Sequence, residues 1–203
     1  MSGIYHERAE LYDFVRDRKI GGLVTVSGDR HSFWAGYSAK ALPPKKFEPV
    51  GVAFITGSIS APGMAEAMEY NLKKHPLRPL FTADRGGGKY EATCNLTLKR
   101  GVRSALEYAK SGDLEAARRL TNPDNAPHLE FIDMGGHGYS VVTATPKTVQ
   151  TEFVCIPRPV TRAATPDGGP LRYRVRHTAN LWQAGERPRL KQEVIEGDAS
   201  LST

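Results

Sequence analysis

Two side chains able to bind metal stand one residue apart in this 203-residue chain: Asp29 and His31, within Ser27-Gly28-Asp29-Arg30-His31-Ser32. A carboxylate is a hard oxygen donor suited to Ca2+, Mg2+ or Fe3+, and a neutral imidazole suits iron, zinc or manganese. At spacing i, i+2 on a turn, the two can face neighbouring ions in a two-metal site, about 3.5–4 Å apart. The same residues have a plainer reading, an aspartate capping a backbone turn beside a histidine that packs. Two donors fall short of the three that a catalytic metal site needs. No other His, Asp or Cys cluster completes the set by spacing.

The elements around the pair must put it at an edge. Leu23–Val26 is short, apolar and β-branched, which predicts a buried strand. Gly28 permits a sharp exit, leaving Asp29 and His31 at the strand's carboxyl edge, where open α/β sheets bind ligands. Before it, Glu7 to Arg18 has a helical pattern with Leu11, Phe14 and Val15 on one face, closed by Gly21-Gly22. After it, Phe33–Tyr37 is apolar and aromatic. Val50–Thr56 is a second buried strand running into the small-residue loop Gly57–Gly63. A helix is expected over Met64–Leu72 and irregular structure from His75 to Gly88. Arg100–Lys110 and Leu114–Leu120 form two more helices, with Ser111-Gly112-Asp113 between them. In the last third, His128–Asp133, Tyr139–Thr145 and Thr148–Ile156 predict a three-stranded antiparallel meander, with His137 at a hairpin turn. Pro157, Pro159 and Pro166–Pro170 make a break. Leu171–His177 reads as an edge strand and Ala184–Thr203 as a loose polar tail.

Composition narrows the function classes. The chain is 39% hydrophobic and 25% charged, enough for a core of one domain or one and a half. Its net charge of +6 favours anionic partners, but it is spread over pairs such as Lys45-Lys46 and Arg118-Arg119, so no specific nucleic-acid binding is expected. No apolar run approaches eighteen residues, which predicts no membrane-spanning helix. Met1–Arg8 has no signal-peptide pattern, so the chain as written carries no export signal. Two cysteines, Cys94 and Cys155, leave one disulfide open and make no metal site by themselves. Gly57-Ser58-Ile59-Ser60 lacks the second glycine of a nucleophile elbow. Gly86-Gly87-Gly88-Lys89 lacks the spacing and the hydroxyl of a P-loop.

Taken together, several blocks carry a specific resemblance. Ser27-Gly28-Asp29-Arg30-His31-Ser32-Phe33-Trp34 resembles the G-D-x-H-S block of the alkaline phosphatase D (PhoD-like) family. Thr56–Gly63, Asn95–Leu98 with Gly101-Val102-Arg103, His128–Tyr139 and Glu152–Pro159 are similar to that family as well. The resemblance spans about Tyr5 to Trp182. It implies an α/β fold, the C-terminal portion of an α/β/β/α metallophosphoesterase (calcineurin-like) sandwich over residues 1–183, ending in an antiparallel meander, with 184–203 as tail. It implies hydrolysis of phosphomonoesters and phosphodiesters at a calcium and iron (Ca2+, Fe3+) centre. Asp29 would be a calcium ligand and His31 an iron ligand, with Thr56–Ser60 near the rim.

The family's cysteine, aspartate, tyrosine and asparagine ligands belong to earlier blocks that this sequence does not contain. A truncated chain, weakly active or inactive alone, is therefore expected. The resemblance assigns no catalytic acid or substrate-binding residue here. The alternatives are a non-catalytic fragment needing an N-terminal partner segment, and a basic nucleic-acid-binding module. Full-length relatives are implied to be periplasmic or secreted.

Overall fold

The computed structural model describes residues 5–158, 162, 164 and 169–203. Met1–Ile4 and most of the proline break, Pro159 and Pro166–Gly168 included, lie outside the described residues. The chain begins with helix α1 (Tyr5–Asp17), followed by strands β1 (Leu23–Ser27), β2 (Phe33–Ala39) and β3 (Pro49–Ile55). Helix α2 (Met64–Asn71) leads to a 3-10 turn and a small hairpin, β4 (Ala83–Asp84) with β5 (Tyr90–Glu91). Three short helices follow, α3 (Cys94–Arg100), α4 (Val102–Ser111) and α5 (Leu114–Arg119). Strands β6 (Leu129–Asp133), β7 (His137–Ala144), β8 (Thr148–Ile156), β9 (Tyr173–Asn180) and β10 (Leu190–Gly197) complete the chain.

Two four-stranded sheets carry the architecture, ordered β1-β3-β2-β6 and β10-β9-β8-β7. In the first, β1 and β3 are parallel, and β2 runs antiparallel to both β3 and β6. The second is wholly antiparallel. Alternation along β2 and β3 sends Phe33, Ala35, Tyr37, Val52 and Phe54 to one face, where they share a buried cluster with Phe131 and with Phe153, Tyr173 and Val175 of the second sheet. The opposite side of the first sheet packs Ile132 and Met134 against Ala65 of α2 and Cys94 of α3. Helices α3 to α5 have their own cluster of Leu96, Ala105, Tyr108 and Ala117, against which Leu201 lies. The segment after β10 returns across the molecule: Ile132 N donates to Ser202 O at 3.0 Å, and Arg100 reaches Thr203 O at 2.7 Å.

Several elements differ from the sequence reading, each for a local reason. Leu23–Val26 is an edge strand rather than a buried one, and Val26 is 57% exposed. Helix α1 buries Tyr12 and Val15, while Leu11 and Phe14 face outward. The expected helix at Arg100 is broken by Gly101 at φ +101°, and α4 buries Ser104, Ala105 and Tyr108.

The meander does not include β6. That strand pairs with β2 in the first sheet, and Met134-Gly135-Gly136 crosses to β7 in the second. Only glycine fits the crossing at 136, where a Cβ would stand 2.6 Å from the Phe33 ring. Strand β9, expected at an edge, lies between β8 and β10. The expected loose tail contains β10, which is mostly exposed and paired through its backbone to β9, hence its polar composition. Among the described residues no helix is long and apolar enough to cross a membrane.

Candidate metal centre

Because β1 and β3 are parallel, their carboxyl ends emerge side by side. The chain leaves β1 at Ser27 and turns through Asp29 and His31, which hold φ of +68° and +48°. Aspartate and histidine tolerate this left-handed region better than most side chains, yet each position costs about 1 kcal/mol or more there. Two such residues within three positions mark a loop held by its surroundings rather than by its own preference. The holding contacts run inward. Arg30 N donates to Gly28 O at 2.9 Å, the Ser32 hydroxyl donates to Arg30 O at 2.8 Å, and the Trp34 indole N–H donates to that hydroxyl at 2.7 Å. Asp29 remains exposed.

The loop after β3 closes on the same turn. Thr56 N donates to Ser27 O at 3.0 Å, and His31 Nδ1 lies 2.8 Å from Pro62 O. A carbonyl can only accept, so Nδ1 carries the proton and, in the neutral ring, Nε2 keeps its lone pair. An outer carbonyl fixing the tautomer in this way is the usual support of a metal-ligating imidazole. Of the expected rim, Thr56 joins the turn directly. Ser58 is drawn instead toward β7, its carbonyl accepting from Gly138 N at 2.8 Å. Ile59 and Ser60 are exposed.

Behind His31 stands a pair the sequence reading did not find. His137 is the first residue of β7 rather than a turn residue, and it is 1% exposed. Its Nε2 donates to Glu66 Oε2 at 3.0 Å, and the same oxygen accepts Gly63 N at 2.7 Å. Burial raises the Glu66 pKa, but the Gly63 N–H, His137 and Arg158 together lower it further, and the net displacement is below the ordinary 4.5. Glu66 thus caps α2 from its third position, which clamps Gly63 and, one residue before it, the Pro62 carbonyl that orients His31. A Cβ on Gly63 would lie 3.5 Å from His31 O and 3.6 Å from His137 Nε2, so the brace sits directly against the turn. Glutamate three residues into a helix was the available signal. Its partner His137 lies 71 residues further along the chain.

The donors fit the metals expected of them, an imidazole Nε2 with a free lone pair and an exposed carboxylate on one turn. They remain two. Among the described residues no group of three His, Cys, Asp or Glu side chains could hold a metal ion. Nearby acids are engaged. Asp133, fully buried, accepts from Tyr173 OH at 2.9 Å and Gly135 N at 3.0 Å and pairs with Arg172 at 3.3 Å. Both cysteines are free and buried, and burial, with the Asp133 charge second, pushes each thiol up to about 12. Neither offers a thiolate at neutral pH.

A family model described as PhoD-like phosphatase matches residues 1–153. No curated protein gives a significant match. One solved structure, titled "Structure of PhoD", aligns at 15% identity with a TM-score of 0.46, over 95% of this chain and 26% of the other. The chain therefore spans about a quarter of that protein's length.

Proposed function

Because this chain belongs to the PhoD-like phosphatase family, we propose that it carries part of a metal-dependent phosphate-ester hydrolase centre, with Asp29 a ligand for Ca2+ and His31 a ligand for Fe3+. The observation that carries the reading is the His31 ring, fixed by Pro62 O with Nε2 free, beside a carboxylate on the same left-handed turn. When bound, such metals polarise phosphoryl oxygens and lower the pKa of the attacking water. The chain's own contribution is to hold one imidazole nitrogen and one carboxylate at the sheet edge, with Thr56 and Pro62 closing the turn behind them. The paired sheets with helices on the outer side of the first are consistent with three layers of a metallophosphoesterase sandwich. Substrates are phosphomonoesters or phosphodiesters, and the family resemblance supports a periplasmic or secreted location for the full-length protein.

With two donors, turnover by the 203-residue chain should be weak. The test is hydrolysis of p-nitrophenyl phosphate and bis-p-nitrophenyl phosphate with Ca2+ and Fe3+, alongside calorimetric Ca2+ binding. Ca2+ binding should disappear in Asp29→Ala, and any turnover in both Asp29→Ala and His31→Ala. Metal response unchanged in both variants would overturn the assignment. A second reading, a fragment completed by a partner segment, is favoured by β1 being an edge strand and by the exposure of Leu11, Phe14 and Val26. A monodisperse monomer with a cooperative melt would count against it.

A further inference from the structure

A hollow of about 790 Å³ opens beside the Asp29 turn, on the side of the first sheet that carries α1. Small residues, Thr25, Gly36 and Ala53, form its floor, and Trp34 and Tyr12 supply aromatic walls. Four cations line it, Arg8, Arg30, Lys40 and Lys45, against one carboxylate, Asp29. Lys40 is neutralised by Asp13 at 2.5 Å. Arg30 lies over the Trp34 ring at 5.4 Å, a stacking that leaves its N–H edge free to bond elsewhere.

Two polar atoms at this hollow are buried with no hydrogen-bond partner among the described residues: Arg8 Nε and His128 Nδ1. Burial first, and the Arg8 charge second, hold the His128 imidazole below its ordinary pKa of 6.5. A guanidinium N–H can only donate, and a buried donor without an acceptor costs about 1–3 kcal/mol, more when charged. A concave site of this size, with an aromatic wall and a few convergent polar groups, has the form of a ligand pocket. With Asp29 as its one carboxylate, the hollow is left with an excess of positive charge.

We propose that the hollow is an oxyanion subsite that takes a phosphate group through Arg8, His128 and Arg30, next to the centre at Asp29 and His31. The link to catalysis rests on the metal-centre reading, in which an ester bound at the turn would extend a second phosphate into the hollow. The anion-binding chemistry itself does not depend on that reading. Two sources share it, the phosphate group of an organic ester and free inorganic phosphate.

The test is NMR of the isotopically labelled chain without metal, titrated separately with inorganic phosphate, propyl phosphate and an equal ionic strength of chloride. Either phosphate should shift the Arg8 side-chain N–H and the His128 ring signals saturably, leaving buried Asn95 and His177 unmoved. Arg8→Gln and His128→Asn should each weaken binding at least tenfold without lowering the melting temperature. Propyl phosphate binding at least as tightly as inorganic phosphate points to an ester as the source. Binding of inorganic phosphate alone points to the free anion. The titration is run without metal, so failure of the metal assignment is read separately. Shifts reproduced by chloride, or affinity unchanged in both Arg8→Gln and His128→Asn, would overturn the subsite.

Discussion

Replacing Glu66 by alanine should loosen the brace behind His31 in a way that can be measured twice. The residue's Oε2 serves two donors, Gly63 N at 2.7 Å and His137 Nε2 at 3.0 Å. Losing a helix cap costs about 1 kcal/mol. Leaving the His137 N–H buried costs about 1–3 kcal/mol more, because its other nitrogen, Nδ1, already lacks a partner among the described residues. Taken together the two losses come to about 2–4 kcal/mol. In a chain of this size that lowers Tm by about 6–12 °C.

Glu66→Gln keeps one acceptor oxygen and should lose about 1 kcal/mol. The carboxyl's folded pKa lies below its unfolded value of 4.5. Its stabilisation is therefore present above pH 4.5 and fades as pH falls through the folded pKa, and Glu66→Gln should lack this acid-side loss. Urea titrations at pH 7 and pH 3.5 give both numbers, and ¹⁵N shifts of the His31 ring report whether Nδ1 still holds its proton. Glu66→Ala within about 0.5 kcal/mol of wild type, with an unchanged His31 tautomer, would refute the brace.

Other outcomes follow from single sites. His177 is fully buried with its pKa lowered to about 4, burial being the main cause. The unfolded chain then protonates first, and stability should fall by about 3 kcal/mol as pH drops from 6.5 toward 4. Denaturant titration across that window should find most of this loss missing in His177→Gln. Asp29→Gly relieves a left-handed aspartate and should raise stability by about 1 kcal/mol. The same variant should abolish Ca2+ binding by calorimetry, and a gain in stability with retained binding would contradict the metal role. Gly36→Ala places a Cβ 2.0 Å from His128 O, so β2 must separate from the segment entering β6. A loss of about 3 kcal/mol or more is expected in a thermal melt.

Much of the first sheet was legible because its residues obey local rules. Leu23–Val26 and Val50–Thr56 are β-branched runs ending in small residues, and Asp113 caps α5 as its position promised, accepting Ala116 N at 2.9 Å. What the sequence concealed was pairing between distant segments. His128–Asp133 reads like the strands that follow it, and nothing local shows that it pairs with Phe33–Gly36. Strand β10 looks like tail because an exposed edge strand is held by backbone bonds, which leave no apolar signature. At the site, Asp29 and His31 were visible as residue types on a turn. The contact between Glu66 and His137 was not, since a buried hydrogen-bonded histidine and a surface one have the same letter. Leu11 and Phe14 were assigned to the buried face of α1 by periodicity, but the helix is rotated to bury Tyr12 instead.

The returning segment at Ser202 joins the fold last during synthesis. Ser202 O receives the Ile132 N–H of β6, and β6 is also the strand that joins β2 across nearly a hundred residues. A nascent chain that reaches only β9 lacks the last strand of the second sheet and the bonds from Ile132 to Ser202 and from Arg100 to Thr203. The helices and the parallel pair can form as they emerge, since their contacts are local or short-range. The core between the sheets can close only once β8 and β9 have emerged. Until then Phe33, Phe54 and Phe131 lack their cover from Phe153 and Tyr173, and that interval is when this chain is most exposed to aggregation.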